Sequence, residues 1–164
     1  MLRSYVGTLA FAAGLSGVLM STAFAQTPAA FTLGAPWTKI ASDPPAPDAT
    51  RKQTQWHISG ESDSFTMVDD STASYADALA AIQKNFTDNH VKPSVNKDFT
   101  CAGKMGHMVE FAAGPDGHQV IINRLLLPET PASGLLTFTY LRTDKDWDPN
   151  VLTSMKAYCG VSPI

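Results

Sequence analysis

Met105–Ala113 reads MGHMVEFAA, Gly114–Gly117 reads GPDG and His118–Leu127 reads HQVIINRLLL. Two runs rich in apolar and β-branched residues flank a turn with proline and glycine at turn positions, which predicts an antiparallel hairpin. Downstream, Gly134–Arg142 (GLLTFTYLR) places Leu136, Phe138 and Tyr140 on one side and Leu135, Thr137, Thr139 and Leu141 on the other. A strand that is apolar on both sides belongs at the centre of a sheet. Hairpins in place of βαβ crossovers make the class α+β with an antiparallel β-sheet.

Working outward, Thr54–Ser59 and Ser64–Val68 alternate around Gly60-Glu61-Ser62-Asp63 and form a second hairpin, with Trp56 and Ile58 on one face and Phe65 and Met67 on one face. Leu33–Ile40 supplies a first strand around Trp37, ended by the surface loop Ser42–Asp48, whose three prolines lack N–H donors. Two helices flank the sheet. The first is capped by Ser74 with Asp77 three residues on, carries the stripe Tyr75, Leu79, Ile82 and Phe86, and turns Lys84, Asn85 and Asp88 mainly away from it; Asn89–Pro93 ends it. The second has Asp148 as cap, Pro149 at its first position, a stripe of Val151, Leu152, Met155, Tyr158 and Cys159, and Gly160 as its stop.

The first 25 residues have the form of a signal peptide. Arg3 gives a positive start, Val6–Met20 an apolar run, and Ala23-Phe24-Ala25 a cleavage signature before Gln26. Residues 26–164 then make a single domain with a periplasmic or secreted location. No later run reaches the roughly 18 apolar residues of a membrane span. In an oxidising compartment the only two cysteines, Cys101 and Cys159, form a disulfide in preference to a metal or redox pair. Without Arg3, 11 basic residues stand against 15 acidic ones, which excludes the clustered basic face that nucleic acid requires.

The order of elements, with the early Trp37, the helix Ser74–Phe86, the strand Met105–Ala113 and GLLTFTYL ahead of a capped terminal helix, resembles the PsbP-like family. The resemblance covers most of residues 33–160. It implies a fold that serves as a docking or binding module and not as an enzyme, and it transfers no site residue to this chain.

Chemistry is sparse. His107 and Glu110 are three apart on a strand and so face opposite sides, while His107, Val109 and Phe111 share a face. A four-residue loop at Gly114–Gly117 pairs His107 with Arg124; a two-residue turn at Asp116-Gly117 pairs Val109 with Arg124. In either register Arg124 interrupts the apolar series Val120, Ile122 and Leu126, and a cation there needs solvent, a carboxylate or a ligand. Asp116 with His118 reads as a polar turn. Asp144-x-Asp146-x-Asp148 lacks the glycine and terminal glutamate of a calcium loop. There is no G-x-S-x-G and no glycine-rich phosphate loop, and no cofactor or metal is expected. Trp147 lies in a polar turn between two aspartates, where it folds back on the sheet or faces a partner.

The expectation is an exported, non-catalytic binding module for a protein or an apolar small molecule, with Arg124, Trp147 and His107 as binding residues. Two alternatives stand beside it. One is a small periplasmic hydrolase using His107, Arg124 and the carboxylate Glu110; the other is a structural envelope or stress protein.

Overall fold

A computed structural model describes residues 30–42, 50–115, 119–130 and 133–162. The signal-peptide reading over residues 1–25, the turn at 116–117 and nearly all of the proline loop lie outside the described residues. Seven strands form one sheet: β1 (Thr38–Ser42), β2 (Arg51–His57), β3 (Ser64–Asp70), β4 (Val95–Cys101), β5 (Lys104–Ala113), β6 (Val120–Pro128) and β7 (Leu135–Arg142). Helix α1 (Tyr75–Asp88) falls between β3 and β4, and α2 (Pro149–Cys159) follows β7. The spatial order is β1-β2-β3-β7-β6-β5-β4 and every pairing is antiparallel. Neighbours along the chain thus pair directly, except where β7 returns beside β3.

Both helix caps form as the sequence predicts. Ser74 Oγ accepts from the Asp77 amide at 3.2 Å, and Asp148 Oδ1 accepts from the amides of Asn150 at 2.7 Å and Val151 at 3.1 Å. Gly160 closes α2 with φ 77°, the left-handed conformation that glycine adopts without strain.

Two expectations are corrected. The first strand begins at Thr38, not Leu33. Phe31, Leu33 and Trp37 precede it as an extended and turning segment that buries its side chains in the core without joining the sheet. Strand β4 has no counterpart in the sequence reading. Of its seven residues VNKDFTC only Val95, Phe99 and Cys101 are apolar, and as the edge strand it needs just those three facing inward. Ala102 and Gly103, with φ of 50° and 75°, then turn the chain tightly into β5.

Alternation divides the sheet into two faces. One carries Trp56, Phe65, Phe138, Tyr140, Leu125 and Met108, and it is covered by Val151 and Met155 of α2 together with the Phe31–Trp37 segment. Phe31 stacks on Phe65 at 4.9 Å and meets Trp56 edge-on at 5.6 Å. Aromatic contacts of this geometry add to the area each ring removes from water. The disulfide Cys101–Cys159 joins the end of β4 to the end of α2, where the Ala102 amide also donates to the Cys159 carbonyl at 2.9 Å. The opposite face carries His107, Val109, Phe111, Arg124 and Leu126, with α1 packed over it through Phe86, 5.1 Å from Phe111.

Candidate functional site

The β5–β6 register decides which residues meet beneath α1. Val109 pairs with Arg124 and His107 with Leu126, the second of the two registers that the sequence allows. On its other side Arg124 pairs with Thr139 of β7. Arg124 therefore stands on the helix-covered face, at the border where α1 leaves the sheet open. There a cavity of about 330 Å³ is lined by Ala81, Ile82, Asn85, Phe111 and Arg124. Its helix wall comes from residues 81, 82 and 85, whose spacing puts them on adjacent turns of one side of α1. Asn85, expected to turn away from the buried stripe, reaches the cavity from the stripe's edge.

Arg124 is half-buried, its Nε is fully enclosed without a hydrogen-bond partner, and no carboxylate among the described residues pairs with it. Burial draws the guanidinium pKa below its ordinary value, and no opposing charge appears among its causes. A desolvated cation without a counter-ion is unfavourable, because the water it gave up has not been replaced. The part of the guanidinium that burial strips of water therefore favours an anion entering the cavity.

His107 shares the face but not the freedom. Its Nδ1 lies 3.0 Å from Asp98 Oδ1 and its Nε2 2.6 Å from Asn96 Oδ1, both on β4. Gln83 of α1 donates in turn to Asn96 Oδ1 at 3.1 Å. The imidazole thus braces the edge strand against the sheet and the helix, with both nitrogens engaged.

Glu110 and Trp147 lie on the other face. Glu110 Oε2 accepts from Asn123 Nδ2 and from Arg142 Nη2, each at 2.7 Å, and Oε1 accepts from Ser94 Oγ at 2.7 Å. Arg142 Nε donates to Asn123 Oδ1 at 3.0 Å, and its Nη1 donates to the carbonyls of Asp144 and Lys145. Trp147 folds back: its ring is 5.4 Å from that of Tyr140, and the Arg142 guanidinium sits 5.8 Å above it. Arg124 and Trp147 both line one small pocket with Met108, Asn123 and Met155, although the strand register puts Arg124 on the face beneath α1 while Trp147 packs on Tyr140. The grouping of His107, Arg124 and Glu110 in one cleft is corrected, because strand alternation sends Glu110 to the opposite side.

A second cavity, of about 310 Å³, opens beside the core where Asp69 and Glu129 meet among Phe31, Met67, Leu136 and Tyr158. Burial and the neighbouring Asp69 both raise the Glu129 pKa, against the pull of Lys104 and Lys52. The Tyr158 hydroxyl is pushed up by burial and by the same two carboxyls. A carboxyl whose pKa is raised by folding stabilises the fold below its unfolded value of about 4.3, and that contribution is lost as pH rises through the folded value. Glu129→Gln is accordingly expected to raise the melting temperature at pH 7 by roughly 1–2 °C, on the order of 0.5 kcal/mol for so exposed a pair, with the gain vanishing toward pH 4. Differential scanning calorimetry of both proteins across that range measures it; an equal shift at both pH values would remove the carboxyl repulsion as its cause.

Among the described residues, no three His, Cys, Asp or Glu side chains converge as a metal site requires, and no helix is long and apolar enough to cross a membrane. No known family matches this chain. No curated protein matches it either.

Proposed function

We propose that the protein is an exported binding module without catalytic activity, and that the cleft between α1 and the sheet around Arg124 is where its partner binds. The observation that carries this reading is Arg124 itself: a half-buried cation with an unpaired Nε, lining a cavity of mixed polar and apolar character, with no carboxylate among the described residues to neutralise it. A concave apolar site with a few polar groups is the usual form of a small-molecule pocket. Export rests on the signal-peptide pattern, and the disulfide is compatible with an oxidising compartment. The antiparallel sheet flanked by a helix on each face is also the architecture that the PsbP-like resemblance implies, and a docking role accords with it.

The hydrolase reading loses support from the same geometry. Glu110 faces away from His107 and is committed to Arg142, while both imidazole nitrogens of His107 are held by β4. A general base must reach the proton it removes.

Titration with 8-anilinonaphthalene-1-sulfonate, an aromatic anion, followed by backbone amide NMR tests the reading under conditions where the fold is intact. Saturable shifts centred on Ile82, Asn85, Phe111 and Arg124 are expected, together with no turnover of p-nitrophenyl esters above background. Shifts confined to another surface, or ester hydrolysis abolished by His107→Ala, would overturn it.

A further inference from the structure

We infer that the Arg124 cleft selects a single-chain monocarboxylate, a short fatty acid or an aryl carboxylate, over phosphate esters and neutral apolar molecules. This rests on the binding-module reading and adds the chemical class of the ligand.

The charge balance comes first. Among the described residues, Arg124 is the only charged one lining the cavity, and the one other polar lining side chain is the neutral amide of Asn85. One guanidinium neutralises one negative charge. A phosphate monoester carries roughly 1.5 to 2 charges at neutral pH, so half of its charge would be desolvated without a partner. A carboxylate matches both the charge and the planar fork of a guanidinium, whose parallel N–H groups donate to both oxygens. The terminal nitrogens form that fork end-on, because Nε is enclosed by protein.

The walls come second. Three of the five lining side chains, Ala81, Ile82 and Phe111, are apolar, and a hydrocarbon chain or ring packs on them while the polar lining of Arg124 and Asn85 takes the head group. At about 330 Å³ the cavity stands at the lower end of the range for small-molecule sites, which admits one short chain or one ring system and not a two-chain lipid. A neutral alcohol of the same length would bury equal hydrocarbon but leave the guanidinium unpaired, and the difference between the two is what a desolvated charge-assisted hydrogen bond contributes. The competing role for Arg124, a stem that merely packs on Phe111, predicts no such difference.

The experiment is calorimetric titration of the folded protein with octanoate, octanol and octyl phosphate, repeated on Arg124→Gln and on Ala81→Phe. Ala81 is exposed at the rim, so its enlargement fills the cleft without touching the cation. Octanoate is expected to bind wild type at least tenfold more tightly than octanol and more tightly than octyl phosphate. It should fall to the level of octanol in Arg124→Gln and lose its binding in Ala81→Phe, with a melting curve recorded alongside to establish that this variant is folded. Equal binding of octanol and octanoate, equal or tighter binding of octyl phosphate, or an undiminished Arg124→Gln overturns the ligand class while leaving a binding cleft in place. If none of the three binds and the naphthalene sulfonate also fails to reach the cleft, the binding-module reading falls with it.

Discussion

Replacing Cys101 and Cys159 together by serine is expected to lower the melting temperature by about 10–15 °C, the loss of roughly 4 kcal/mol from a domain of this size. The bridge spans 58 residues, so its removal frees a long stretch of the unfolded chain. Its position makes the native state vulnerable as well. β4 is an edge strand holding only three inward apolar residues, and α2 is 11 residues long, too short to persist in water on its own. Each is held against the other at the point where the Ala102 amide donates to the Cys159 carbonyl. Amide hydrogen exchange in the reduced protein should therefore accelerate first in β4 and α2 and only later in β5–β7. A uniform acceleration across the sheet would show that the bridge acts on the unfolded chain alone, and a shift of under roughly 3 °C would show that the packed Cys101 and Cys159 side chains matter more than their bond.

The parts of this fold that could be read from sequence are those whose signals are local. Strands β5–β7 announce themselves through alternation and a proline-glycine turn, and both helices through cap residues that the structure uses as caps. Alternation alone also separates His107 from Glu110. β4 escaped because an edge strand needs little hydrophobicity, and VNKDFTC does not stand out from a loop. The register that pairs Val109 with Arg124 depended on a turn length that two readings satisfied. Position alone could not show that Arg124 lacks a counter-ion, since Asp98, an acid on the same face, is engaged with His107. Trp147 looked like a recognition residue because its neighbours are aspartates, yet the ring turns inward under Arg142 and onto Tyr140. The Ser94–Glu110–Asn123–Arg142 cluster was invisible for a related reason. Its members come from three strands and a loop and converge only through tertiary pairing.

That cluster sets the second large effect: Glu110→Leu is expected to destabilise the fold by about 3–5 kcal/mol. Arg142 has a side chain only 3% exposed, so its charge cannot be solvated in place when the carboxylate goes. Nη2 would lose its partner at once, and the Asn123 amide and Ser94 hydroxyl would each lose an acceptor. The cost is then that of an uncompensated buried charge and not that of one missing hydrogen bond. Glu110→Gln separates the two, since it keeps the shape and one acceptor oxygen while removing the charge, and its loss should be smaller. The pH dependence has a definite sign. Burial pushes the Glu110 pKa up, but the hydrogen bonds from Ser94 and Asn123 and the Arg142 charge outweigh it and hold the carboxyl below its ordinary value. A carboxyl depressed by folding contributes its stability in full above the unfolded value of about 4.3 and loses it as pH falls through the folded value. Wild type should thus lose more stability than Glu110→Gln between pH 5 and pH 3, so that the two denaturation midpoints converge in acid. Parallel curves over that interval would mean that the carboxylate's charge contributes nothing to the cluster, and Glu110→Leu with wild-type stability would mean that Arg142 is satisfied by the Asn123, Asp144 and Lys145 oxygens alone.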